Sequence, residues 1–373
     1  MRSMRLVARM VVAALLLPLV AVVAGAPARA SAATVTTVTV GNGPQLLARD
    51  PVTNKVYVAN IADNTVSVID EATRGVTTLR GFFNQPFGVA VNPTTNKVYV
   101  TNSGDNTVAI INGADNSVVT TTAPIFNAPA GVAVDPTTDK VYLTNFNDNV
   151  IPVLNGADNS VTGISSSKVI TPDDLAVDPT TGKVFVANNG NDTVAVIDES
   201  DNSVSTIASP FFKGPIGVAV NANTHKVYVV SPSNNSVEVV DEADKSVTRI
   251  TDPSFDFPFI AAVDPTANRI YVTNNNGDTV SVISGTDNSV TSIADPSFDG
   301  PGGLDVDPAS QTLYVANGNT NTVSIVDTSG AMPSPGPTAT PELGSGELVT
   351  TGLGALLVTF LYRRRRKRRH GLV

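Results

Sequence analysis

Apolar positions along this chain come in short runs, four to a unit, and the unit repeats. In residues 86–118 the runs Gly88 to Val91, Lys97 to Val100, Val108 to Ile111 and Val118 to Thr121 are mostly β-branched and bounded by Gly, Pro, Asn or Asp. Such runs read as β-strands, named a to d here. The a–b connection Asn92-Pro93-Thr94-Thr95-Asn96 has proline where a type I turn wants its fixed φ, and asparagine before it to bond the turn backbone. Asn112-Gly113-Ala114-Asp115-Asn116 offers similar chemistry between c and d, so the unit is a four-stranded meander.

Val98 and Tyr99 are neighbours in strand b and point opposite ways, so both faces of the sheet are apolar and each needs a like sheet against it. The repeat supplies those sheets. The strand-b aromatic falls at Tyr57, Tyr99, Tyr142, Phe185, Tyr228, Tyr271 and Tyr314, a spacing of 42 once and then 43 five times. A proline opens every copy, at Pro44, Pro86, Pro129, Pro172, Pro215, Pro258 and Pro301. This predicts an all-β fold, a seven-bladed β-propeller of four-stranded antiparallel blades. The two ends of the repeat are unequal: Thr34 to Val40 is strand-like but precedes the first strand a, and the seventh copy runs from Val323–Val326 into Ser329-Gly330 without a strand d. The N-terminal strand is therefore expected to complete the last blade.

The motifs Lys-Val-Tyr-Val-Thr-Asn, Asp-Asn-Thr-Val and Val-Asp-Pro-Thr-Thr resemble those of the YVTN-repeat, YncE-like β-propellers, over roughly residues 41–327. That resemblance implies the propeller fold and says much less about activity.

Three segments flank the propeller of residues 31–328. Residues 1–30 carry Arg2, Arg5 and Arg9, an apolar run and Ala28-Arg29-Ala30, the order of a cleavable signal peptide, so export is expected. Residues 329–347 are rich in Pro, Ser, Thr and Gly and read as an extended spacer. Residues 348–373 join a short apolar run to Arg363–Arg369, a basic stretch that stays on the cytoplasmic side of a membrane. The order resembles a cell-surface sorting or anchor signal, and Leu348-Val349-Thr350-Thr351-Gly352 resembles a sortase motif with valine in place of its proline. The expected location is extracellular, at the cell surface, held to membrane or wall.

Charge sharpens this picture. The whole chain has a formal charge of −9, but residues 31–341 carry 13 basic against 31 acidic residues, a net −18. Such a field repels nucleic acid and favours cations or basic partners. There is no cysteine, so neither disulfides nor thiol chemistry contribute. The two histidines, His225 in an a–b turn and His370 in the tail, argue against a histidine triad at the centre, a His-rich metal site and a histidine-dependent lyase.

The candidate site residues are breaks in the repeat. Asp305 replaces the inner-strand alanine of the other copies, Arg49 replaces the valine after it, and Asp174, with Asp173 beside it, replaces a glycine. Blades 1 and 7 adjoin in a ring, so Arg49 and Asp305 are expected to meet near the axis, either as an ion pair at the seam, since a buried charge needs a partner, or as groups that orient a ligand, for which Asp173 and Asp174 are the further candidates. The repeated turn acids, such as Asp63-Asn64 and Asp105-Asn106, read as turn formers. Phe82, Phe83, Phe87, Phe126, Phe211, Phe212, Phe257 and Phe259 come from d-to-a segments, and either pack between blades or form a contact surface. Lys55, Lys97, Lys140, Lys183 and Lys226 read as solubilising strand starts.

The expected function is a non-enzymatic binding, adhesion or envelope scaffold without a catalytic residue, whose partner is an envelope or extracellular protein or glycan, with the membrane met through the C-terminal segment. No cofactor is expected. The alternative is a lactonase-like hydrolase holding a divalent metal such as calcium on Asp173, Asp174 and Asp305 at the central channel.

Overall fold

The computed structural model describes residues 33–329. The signal-peptide, anchor and sorting-motif expectations, and all but the first residue of the spacer, lie outside the described residues. Among the described residues, no helix is long and apolar enough to cross a membrane.

Seven four-stranded antiparallel sheets follow one another in chain order. The second blade, Pro86–Asn92, Lys97–Asn102, Thr107–Asn112 and Val118–Thr122, shows the plan. Strands a lie innermost and touch in a closed ring, Pro44–Asp50 of blade 1 meeting both Pro86–Asn92 of blade 2 and Pro301–Asp307 of blade 7. Closure comes from the N-terminus as expected: Thr34–Thr39 pairs antiparallel with Thr322–Asp327, and supplies the outer strand of blade 7. This covers the outer edge of Thr322–Asp327 and fastens the ring with its own first strand.

The period-two alternation of strand b places the core. Val98 and Val100 pack with Tyr57 and Ala59 between blades 1 and 2, whereas Tyr99 packs with Val141 and Leu143 between blades 2 and 3. The six repeat tyrosines and Phe185 are among the largest fully buried side chains. Six blades start strand a on proline, which lacks an N–H and suits the first residue of a strand, and each of those strands has a register break within the next three residues. The fifth blade begins its strand a later, at Gly217.

The d-to-a aromatics divide as packing requires. Phe83, Phe126 and Phe212 are buried between blades, joined by Phe255 and Phe298 at equivalent places, while Phe82 is 43 % exposed. Three of the eight expected aromatics are therefore interblade core and Phe257 is buried as well, while Phe87, Phe211 and Phe259 are half-buried and Phe82 remains on the surface.

The turn residues do more than shape turns. On the face formed by b–c turns and d-to-a loops, an Asx side chain of each blade accepts an N–H from the next blade. Gln85 N donates to Asn64 Oδ1 at 2.8 Å, Ala128 N to Asn106 Oδ1 at 2.7 Å, and the seam of blades 7 and 1 closes with Gly43 N to Asn321 Oδ1 at 2.8 Å. The same bond recurs at Asn149, Asp192, Asn235 and Asp278, so all seven seams have it.

Candidate functional site

Three of the four candidate residues are acids of the inner strands. Asp173 and Asp174 are adjacent near the start of Pro172–Asp178 in blade 4, and Asp305 lies deeper along Pro301–Asp307 of blade 7. Each is half-buried on the wall around the axis. Desolvation by the surrounding protein pushes Asp173 and Asp174 up to about 7, with Asp174 adding to the effect on Asp173. It pushes Asp305 up to about 6 against two backbone N–H donors that favour its charged form.

The neighbours of these carboxylates show what they hold. Asp305 Oδ2 accepts the backbone N–H of Arg49 at 2.8 Å, and its Oδ1 accepts that of Val306 at 2.8 Å. Asp174 Oδ2 accepts the backbone N–H of Val218 in blade 5 at 3.3 Å. Both therefore clasp their own inner strand to the next one. Ligand atoms from Asp173, Asp174 and Asp305 do not gather within metal-binding reach of one another; among the described residues the one group that does is elsewhere.

Arg49 and Asp305 meet, but the expected ion pair between their side chains is replaced by another. The Arg49 guanidinium turns to the a–b and c–d turn face, where Nε donates to Glu71 Oε1 at 2.6 Å and a terminal nitrogen lies 3.1 Å from Asp307 Oδ2. The reason is alternation: residues 49 and 305 sit one step out of phase, so the carboxylate reaches the backbone of Arg49 and the side chain points away from it. Burial works against the charged form of Asp307, yet Ser310, backbone donors and Arg49 hold it below the usual carboxylate range.

Glu71 and Asp307 give no signal along strand a, because Glu71 lies in a c–d turn and Asp307 matches Asp50, Asp135, Asp178 and Asp264 of the other copies. The signal was in the c–d turns, where Asp70-Glu71, Asp198-Glu199 and Asp241-Glu242 stand in place of Asn112-Gly113 and Asn155-Gly156. The lysines at strand b also do more than solubilise: Lys55 Nζ donates to Gly113 O at 2.7 Å and Lys140 Nζ to Glu199 O at 3.2 Å, each in the next blade.

The fold and these seams define a seven-bladed β-propeller. The solved structures it is similar to include a streptogramin B lyase (TM-score 0.70, 13% identity, 79% of this chain and 97% of that one). They also include virginiamycin B lyase from Staphylococcus aureus (TM-score 0.70, 16% identity, 79% and 99%) and the β-propeller domain of Myceliophteria thermophila Cps50 (TM-score 0.68, 11% identity, 80% and 100%). At these identities the likeness shows the fold alone. No protein-family profile and no curated sequence matches the chain.

Proposed function

We infer that this chain is a non-enzymatic scaffold that displays one face of a rigid propeller outside the cell, and that it belongs with the YVTN-repeat, YncE-like propellers its motifs resemble. The observation that carries the reading is the pairing of Thr34 with Asp327. It puts the first and last residues of the ring side by side at the outer edge of blade 7, on the face of a–b and c–d turns. A chain exported by residues 1–30 and held through residues 329–373 is thereby tethered from that face. The opposite face, built of b–c turns and d-to-a loops, then points away from the envelope and meets partners.

The acidic balance of the ring favours a basic protein segment or a cation-bridged glycan over nucleic acid or anionic lipid. A hydrolase with a metal on Asp173, Asp174 and Asp305 is the weaker reading, because Asp174 and Asp305 already spend an oxygen on the neighbouring blade.

Cell fractionation with protease shaving tests the display. The full chain is expected in the envelope fraction and sensitive to external protease, and a chain lacking residues 348–373 is expected in the medium. Retention of both forms in the cytosol would refute it.

A further inference from the structure

The seven seams are internal controls for one another. On the a–b and c–d turn face, the last residue of strand a reaches the a–b turn of the next blade: Asn92 Nδ2 donates to Asp139 Oδ1 at 2.7 Å, and Asn221 Nδ2 to Asn268 Oδ1 at 2.8 Å. The residue after strand c always donates its N–H to the carbonyl of that turn residue, as Gly113 does to Asn96 and Glu242 to His225. In three blades it is Gly113, Gly156 or Gly285, and a Cβ on Gly113 would meet Asn96 Oδ1 at 2.1 Å. The glycine makes room for the polar pair.

Glutamate takes that place at residues 71, 199 and 242 and brings a second carboxylate to the aspartate of the preceding blade. Two carboxylates in contact need a cation or a shared proton. Between blades 7 and 1 the cation is Arg49, which contacts both Glu71 and Asp307. Between blades 4 and 5 the groups are Asp178, His225 and Glu242, with His225 Nδ1 3.1 Å from Asp178 Oδ2 and one ligand atom of each residue within 4.8 Å of the others.

The surroundings of this trio are built rather than incidental. Asp178 Oδ1 accepts from the Thr180 N–H at 2.8 Å and from its hydroxyl at 2.5 Å, which leaves Oδ2 aimed at the imidazole. Glu242 Oε2 accepts from Thr181 Oγ1 at 3.1 Å, while Glu242 Oε1 is buried with no donor. Lys55, Lys97 and Lys140 each cross to the next blade's c–d turn, but Lys183 pairs with Asp198 of its own blade instead. A groove of about 370 Å³ opens where it would have crossed, lined by Lys183, Phe185, Asp198, His225 and Glu242.

We propose that Asp178, His225 and Glu242 form a site for a divalent transition-metal ion of the zinc class, shared between blades 4 and 5. Two carboxylates and one imidazole suit zinc and its neighbours, whereas calcium and magnesium prefer oxygen alone. The threonine hydrogen bonds orient the ligating carboxylates. The His225 side chain is 49% exposed, so the ion keeps water on its open side and enters from solvent. Bound there, it joins the inner strand of blade 4 to two turns of blade 5, as Arg49 joins blades 7 and 1.

The test compares the full-length chain, purified in detergent, with the double variant His225→Asn, Glu242→Gly. That variant gives this seam the residue set of the first one (Asp50, Asn96, Gly113), which already folds within the same ring. After equilibration with zinc and gel filtration, the parent is expected to retain about one zinc per chain by elemental analysis, with a higher melting temperature than the chelator-treated protein. The variant is expected to lose more than the roughly 10–100-fold in affinity typical of removing an outer-shell partner, and its melting temperature is expected to ignore zinc. No retained zinc in the parent, or equal retention by parent and variant, would overturn the proposal.

Discussion

Arg49 shows how a residue that breaks the repeat is absorbed. Its partners are Glu71 and Asp307, both largely buried, and it balances two carboxylates that would otherwise repel. Arg49→Met should therefore cost about 3–5 kcal/mol in urea unfolding, the range for breaking a buried pair from one side. Adding Glu71→Gly should recover part of that loss. The residue was legible in the sequence because it departs from a column of valines, but its pairing was not, because the partners lie in a turn and in another blade. Glu238 departs from its column too, since Ser67, Ala109, Pro152, Ala195, Ser281 and Ser324 stand at its place in the other copies, but that column lies in strand c and not in strand a. Glu238 stands in strand c of blade 5, fully buried, where Ser231 and Ser236 each donate a hydroxyl at 2.5 Å. Burial pushes its carboxyl up to about 7 against those two donors. Stability from a raised carboxylate is complete below its unfolded value and is lost as pH rises through the folded one. Glu238→Gln should thus stabilise the protein by on the order of 1–3 kcal/mol at pH 8 and leave it unchanged at pH 4, read from urea midpoints at the two pH values.

At the scale of elements, the blades are held by apolar faces and by a few polar crossings. Thr101 in strand b of blade 2 accepts the Gly88 N–H at 2.8 Å and donates to Ala130 O of blade 3 at 2.7 Å, fully buried. Thr101→Val keeps the shape and strands both backbone groups, so it should cost about 1–3 kcal/mol in denaturant unfolding. A neutral result would mean that water reaches this strand. Gly88 shows the same closeness, since a Cβ there would meet Ala130 O at 2.2 Å. The strands themselves were readable from the prolines, the aromatic period and the turn chemistry, because local pattern and global fold agree in every copy. The crossings were not readable, because residues such as Asn64 and Asn106 satisfy a turn rule by themselves and give no sign that their oxygens also serve the next blade.

For the whole molecule, charge and closure set the behaviour. Asp173, Asp174, Asp305, Glu199, Glu238 and Glu242 are all raised, mainly by burial, whereas Asp135, Asp178 and Asp307 are held low by hydrogen bonds that outweigh burial. The raised groups lose their contribution as pH climbs through about 6 to 7, and the lowered ones lose theirs as pH falls below the ordinary aspartate value. Stability should therefore peak on the acid side of neutrality, and a melting temperature that rises steadily from pH 5 to pH 8 would contradict this balance of carboxylates. The display reading and the seam links both presuppose a ring that its own N-terminal strand closes. The chain has no cysteine, so a single introduced pair reports that closure without interference. Thr34 and Asp327 are exposed and directly opposite in the register, a separation that a disulfide spans. Thr34→Cys with Asp327→Cys, oxidised at low protein concentration, is predicted to give an intramolecular link between residues 34 and 327 by peptide mass mapping and a higher melting temperature. A pair that stays reduced, or links only between molecules, would contradict the closed ring.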